Sequence, residues 1–171
     1  MTSPLAHGVT VADTVELWPV YDAVFGDHPS YDAWRAEVWD RHAVREGFRL
    51  ARVRQHGELV GFAYGYTGRR GQWWTDHVAE ALDPEVAEEW VGGHFELVSI
   101  GVVPGARGQG LGGRLLGSLT DGLPHARWLL TTTADETDPA RRLYARHGWT
   151  VLGPGIGEGT VVMGRLGAAA G

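Results

Sequence analysis

Glu96-Leu97-Val98-Ser99-Ile100-Gly101-Val102-Val103-Pro104-Gly105-Ala106-Arg107-Gly108-Gln109-Gly110-Leu111-Gly112-Gly113-Arg114-Leu115-Leu116 reads as a strand, a turn and a helix. Val98, Ile100 and Val102 alternate at the strand period, and Leu111, Leu115 and Leu119 recur at i, i+4 and i+8, the spacing of one helical face. The loop between them carries no bulky side chain. Glycines at 108, 110 and 112 let the backbone approach a ligand closely. The first turn of the following helix adds amides without an internal partner and the positive end of the helix dipole. Such a place binds an anion, most naturally a phosphate.

Three phosphate-binding loops compete for this stretch. The P-loop is excluded, because no Gly-Lys-Ser/Thr follows the glycines and the chain contains no lysine. The dinucleotide fingerprint is met literally by Gly108, Gly110 and Gly113, with Asp135 about 20 residues on, where a ribose-binding acid is expected. There, however, the first glycine closes the turn directly after the strand, whereas Val103 to Arg107 intervene here. The third loop fits without strain. Arg107-x-x-Gly110-x-Gly112 after Ile100-Gly101-Val102 resembles the acetyl-CoA pyrophosphate loop of the GCN5-related N-acetyltransferase family.

The resemblance covers roughly Glu96 to Trp149. Ala140-Arg141-Arg142-Leu143-Tyr144-Ala145-Arg146-His147-Gly148-Trp149 is similar to the family's second signature, A-x-x-L-Y-x-x-x-G-F, with Trp149 for Phe. Where the family has an asparagine that touches the pantetheine arm, this chain has Thr137. The resemblance implies a mixed, mostly antiparallel sheet flanked by helices. It implies acetyl-CoA as cosubstrate, held by Arg107, Gly108, Gln109, Gly110, Leu111 and Gly112 at the pyrophosphate. The backbone of Ile100, Gly101 and Val102 would pair with the pantetheine arm, and Thr137 would lie beside it. It also implies Glu96 as general base, matching the histone-acetylating branch, and Tyr144 as the acid that protonates the leaving thiolate. A bland reading stands beside each: a structural carboxylate at Glu96 and a core ring at Tyr144. His94 is a reserve base or a polar residue at a strand edge.

Length and composition fit a single domain spanning 1–171, with the ends, 1–7 and 166–171, expected to be disordered. At 171 residues and 43% hydrophobic the chain can bury one core. A formal charge of −6 argues against nucleic acid and favours a cationic substrate. With no cysteine, thiolate nucleophiles, disulfides and cysteine-based zinc sites are excluded, so His94-x-Glu96 is not a deaminase motif and no metal is expected. Direct attack of the amine on the thioester is then the natural route. No signal peptide and no apolar run of about 18 residues is read, which predicts a cytoplasmic protein without a membrane partner. The oligomeric state, monomer or homodimer, stays open.

Around this core the chain reads as β-α-α-β-β-(insert)-β-α-β-α-β-β. A short first strand is expected over Gly8 to Ala12, and a helix capped by Asp13 or Thr14 with Leu17, Trp18, Tyr21 and Phe25 on one face. A second helix begins at Ser30, and His56-Gly57 joins two strands as a hairpin turn. In the second of these, Val60, Phe62, Tyr64 and Tyr66 share one face and Gly61, Ala63 and Gly65 the other. The phase of alternation slips between Leu97 and Val98, which predicts a β-bulge. The insert, Arg69 to Gly93, carries Trp73, Trp74, His77 and Trp90 among acidic residues. It is either a solvated helix pair pinned by tryptophans or a lid over a cationic acceptor, with Trp73, Trp74 and His94 as acceptor-binding residues. A small-molecule amine is thus the expected acceptor, with a protein N-terminus or lysine as the alternative. A non-catalytic acyl-CoA-binding module is the rival from another class.

Overall fold

The computed structural model describes the backbone of Ser3–Leu5 and residues 9–168. The order is β1 (Ser3–Leu5), α1 (Val11–Phe25), α2 (Tyr31–Trp34), a π turn (Arg35–Trp39), α3 (Asp40–His42), β2 (Arg49–Gln55) and β3 (Glu58–Thr67). Then come α4 (Trp73–Ala81), α5 (Pro84–Trp90), β4 (Phe95–Val102), a 3₁₀ turn (Pro104–Ala106), α6 (Leu111–Thr120), β5 (Arg127–Thr133), α7 (Pro139–Arg146), β6 (Thr150–Pro154) and β7 (Thr160–Leu166). This is a mixed α/β fold, its largely antiparallel sheet flanked by helices and a helical insertion set between β3 and β4. The residues cluster into two units, Met1–Tyr66 with Val98–Asp121, and Thr67–Leu97 with Gly122–Gly171. The chain of β4 is shared between them.

The first unit orders its strands β1-β2-β3-β4. β2 and β3 pair antiparallel with Gln55 opposite Glu58, and His56 (φ 50°) and Gly57 (φ 85°) make the two-residue turn, as the dipeptide predicts. Phe62 and Tyr64 join Leu17, Tyr21, Trp34 and Trp39 in one aromatic core, so the aromatic stripe of β3 serves packing. Its small face admits α6: a β-carbon on Gly61 would lie 3.1 Å from Leu115 Cδ1 and 3.0 Å from the Gly101 carbonyl. Two expectations near the start are corrected. Val11 and Ala12 begin α1 instead of ending a strand, because Thr10 accepts from Asp13 N–H while the Asp13 carboxylate accepts from Thr10 N–H at 2.7 Å, a reciprocal capping box. The strand lies earlier, at Ser3–Leu5, antiparallel to β2. Of the ends expected to be disordered, Ser3–Leu5 and Leu166 instead belong to β1 and β7, while 1–2, 6–7 and 169–171 fall outside the described residues.

Ser30 caps the second helix as expected, accepting from Ala33 N–H. The helix then widens into the π turn, which carries Trp39 into the core at 2% exposed and leaves Val38 only partly buried.

The second unit orders its strands β4-β5-β7-β6. β5 pairs with β7 along its whole length, but its parallel pairing with β4 is confined to Phe95↔Trp128 and Glu96↔Leu129. The insert helices pack Val78, Leu82, Ala87 and Val91 against Leu129 and Val162. Glycines admit them closely: a β-carbon on Gly164 would lie 2.7 Å from the Trp90 ring, and one on Gly153 2.9 Å from Leu82 Cδ2. Most of the insert is therefore structural. No described helix is long and apolar enough to cross a membrane.

Candidate functional site

The residues singled out from the sequence divide between the units. Ile100, Gly101, Val102 and the Arg107–Gly112 loop lie in the first, and Trp73, Trp74, His94, Glu96, Thr137 and Tyr144 in the second.

In the first unit β4 is the last strand, beside β3, with Val103 N–H bonded to the Val60 carbonyl at 2.9 Å. Its other edge has no ladder among the described residues of that unit. In the second unit Gly68 N–H donates to the His94 carbonyl.

After β4 the 3₁₀ turn reverses the chain, and Arg107 Nε donates back to the Val102 carbonyl at 3.0 Å, bracing the loop. Gly108 (φ 78°) and Gly110 (φ 75°) both take left-handed conformations, and Gly110 is the N-cap of α6. A β-carbon at either would meet no atom within 4 Å, so the backbone there faces open space. α6 buries Leu111, Leu115 and Leu119, the predicted stripe, and Leu116 beside them. Arg114 N–H bonds the Gly110 carbonyl at 3.2 Å, which leaves the amides of 111 to 113 ahead of the helical ladder and open to an anion. Gln109 is held by Gln55, whose Nε2 donates to its Oε1 at 2.6 Å.

In the second unit Glu96 and His94 are 3% and 1% exposed. His94 is thus buried, which corrects its reading as a polar edge residue. Its Nδ1 accepts from Gly92 N–H at 3.0 Å, placing the ring proton on Nε2, which has no hydrogen-bond partner among the described residues and abuts Gly68. Burial, then the charges of His125 and Arg70, push its pKa down to about 3. A neutral ring sealed by backbone is poorly placed to collect a proton from a substrate. It also makes stability depend on pH. Between about pH 6.5 and 3 the unfolded chain binds a proton that the folded chain refuses, so stability is fully present above 6.5 and falls below it by about 1.4 kcal/mol per pH unit. Urea unfolding at pH 7.5 and 5.0 should show His94→Gln losing about 2 kcal/mol less than wild type on acidification. Equal losses in the two proteins would refute this assignment.

Asp138 caps α7, its Oδ1 accepting from the amides of Ala140 (2.9 Å) and Arg141 (3.1 Å), with Pro139 in the first turn as expected. Tyr144 is 5% exposed, its ring 6.2 Å from that of Trp149. Burial, then the Asp138 charge, raise its pKa, so the phenol keeps its proton, and its hydroxyl makes no hydrogen bond with a described residue. Thr137 is exposed and its hydroxyl donates to Asp135 Oδ1 at 2.7 Å. The insert's two adjacent tryptophans differ. Trp74 Nε1 donates to Thr131 Oγ1 at 3.2 Å, whereas Trp73 is 64% exposed and stacks on His77 at 4.2 Å. Arg141 was not singled out from the sequence, yet it is buried on the same helix face as Tyr144, where a charged residue is expected to reach solvent.

The Acetyltransferase (GNAT) family model matches residues 14–149. The chain is 35% identical over 125 residues to the GCN5-like protein acetyltransferase Rv2170 of Mycobacterium tuberculosis, a match covering 69% of this chain and 59% of that relative. Among solved structures, the ribosomal-protein-S18-alanine N-acetyltransferase of Escherichia coli superposes with a TM-score of 0.64 at 18% identity, over 100% of this chain and 97% of that one. An acetyltransferase of Thermus thermophilus gives 0.67 at 16% identity, over 96% and 97%. Arabidopsis thaliana NAA60, solved with a bisubstrate analogue, gives 0.60 at 15%, over 98% and 99%. These structures share the fold, and the family model spans most of the chain together with both the glycine loop and the helix of Tyr144. The chain belongs to the GNAT family of acetyltransferases.

Proposed function

We propose that this chain is a single-domain, cytoplasmic N-acetyltransferase that moves the acetyl group of acetyl-CoA to a primary amine by direct attack in a ternary complex. The observation that carries this reading is the Arg107–Gly112 loop, two left-handed glycines opening a helix whose first amides are unused, in a chain of this family. The loop holds the pyrophosphate, and the free edge of Ile100 to Val102 takes the pantetheine arm as an added strand, with Thr137 beside it. The amine arrives as an ammonium ion. Glu96 accepts its surplus proton, directly or through one water, and the neutral nitrogen attacks the thioester carbonyl. The tetrahedral intermediate collapses by breaking the C–S bond, Tyr144 gives its proton to the departing thiolate, and the proton still held in excess by the amide nitrogen returns to the phenolate, directly or through water. The products are the amide and CoA thiol.

The acceptor is a small cationic amine. Trp73 supports this, because its ring stays open to solvent, stacked on His77, in an insert whose helices also bear Asp76, Glu80, Glu85, Glu88 and Glu89. Trp73→Ala should raise the acceptor KM about tenfold, at the upper range of a cation–π contact, with acetyl-CoA affinity unchanged. An unaltered KM would return α4 to a purely structural role. A second reading, a protein N-terminus or lysine side chain, is favoured by the protein acetyltransferase that is 35% identical. Thiol release from acetyl-CoA against polyamines, aminoglycosides, amino acids and peptides separates the two. Absence of release with every amine, despite CoA binding, would leave a non-catalytic binding module.

A further inference from the structure

Arg141 is 9% exposed, with Nε fully enclosed and without a hydrogen-bond partner among the described residues. It forms no ion pair with a described carboxylate: Asp138, the nearest acid in sequence, spends its Oδ1 on the backbone amides of Ala140 and Arg141. The neighbouring Arg142 and Arg146 reach solvent. A buried guanidinium without a counter-charge is unfavourable, and folded chains keep one where something else supplies the anion. The position fits a ligand. Arg141 precedes Tyr144 by one turn, and these two are the buried residues of α7.

We propose that Arg141 is a substrate-binding residue whose guanidinium takes an oxyanion, either a phosphate of acetyl-CoA or a carboxylate on the acceptor. The chemistry suits it, since the planar fork of donors matches both groups in bidentate geometry, which a lysine would not. The proposal rests on the acetyltransferase reading for where its ligand comes from, but binding alone tests it. Without ligand, Arg141→Met should melt at or above the wild-type temperature, because it removes an uncompensated charge while keeping the length of the side chain.

Calorimetry then reads the ligand. CoA and 3′-dephospho-CoA are titrated into wild type and Arg141→Met, and the CoA-loaded proteins are titrated with amino acids and with their decarboxylated amines. A tenfold or greater loss for CoA that vanishes with 3′-dephospho-CoA assigns the 3′-phosphate. The same loss with both nucleotides assigns the pyrophosphate. A loss confined to carboxylated amines assigns the acceptor. Affinities all within twofold of wild type, with a lowered melting temperature, would make Arg141 structural and overturn the proposal. If Arg141→Met does not fold, Arg141→Lys, which keeps charge and loses the fork, serves the same titrations, and unchanged affinities there overturn it equally. The two readings fail separately. A wild type that binds CoA through Arg141 yet releases no thiol would cancel the enzymatic reading alone, whereas full activity with undiminished affinities in the variant would cancel this one alone. Binding of neither CoA nor a carboxylated amine by wild type would remove both.

Discussion

Gly110→Val should abolish acetyl-CoA binding in a protein that still folds. Two features of Gly110 separate these effects. Its φ of 75° is a conformation that costs a residue with a β-carbon about 1–2 kcal/mol and a β-branched one more, a penalty a domain of this size tolerates. The β-carbon itself would meet no atom of the protein within 4 Å, so nothing in the core is displaced. What valine fills is the space above the loop where backbone amides reach a phosphate, and escape from the strained φ would swing the first amides of α6 out of line. Losing the pyrophosphate contacts removes several charge-assisted hydrogen bonds, each worth about 1.5–3 kcal/mol, so affinity should fall by about a thousandfold or more. Calorimetry on a variant shown folded by circular dichroism decides it. Undiminished acetyl-CoA affinity, or tighter binding of NAD than of CoA by wild type, would overturn the assignment of this loop.

The same loop shows what a sequence makes legible. Where conformation is set locally, the reading held: the strand before Val103, the leucine stripe of α6, the His56-Gly57 turn and the Asp138-Pro139 cap each depend on residues a few positions apart. It failed where two local signals compete or where packing decides. Val9-Thr10-Val11 alternates like a strand, but the Thr10–Asp13 capping box is satisfied only in a helix and wins. At the π turn an extra residue in the helix carries Trp39 into the core while Val38 packs partly buried against it, a turn that no periodicity in the sequence announces. The burial of Arg141 and His94 was invisible for a related reason. Hydropathy sends both to the surface, and only the assembled unit shows one enclosed beside Tyr144 and the other shut in by Gly68. For the catalytic roles, Glu96 and Tyr144 were recognisable by resemblance, and their burial agrees with the roles without distinguishing them from structural ones.

Tyr144→Phe makes that distinction. A core tyrosine contributes its ring, and the ring survives this substitution along with its packing against Trp149. Loss of the oxygen should not destabilise the fold, because the hydroxyl makes no hydrogen bond with a described residue and no buried partner is orphaned by its removal. A purely structural Tyr144 therefore predicts unchanged kcat and an unchanged or slightly raised melting temperature. An acid predicts a different pattern. Burial and the Asp138 charge hold the phenol protonated at neutral pH, so the proton is present when the C–S bond breaks, and its transfer to the thiolate offsets charge developing there. General acid assistance is worth about 10²-fold or more, so kcat should fall by at least that factor while acetyl-CoA affinity stays level. The fall should shrink for a thioester whose thiol has a low pKa, since such a leaving group needs less help, and that dependence separates acid catalysis from a small displacement of the substrate. Retention of kcat within about threefold, in a variant whose chemical step limits turnover, would leave Tyr144 as a core ring and require the thiolate to take its proton from water.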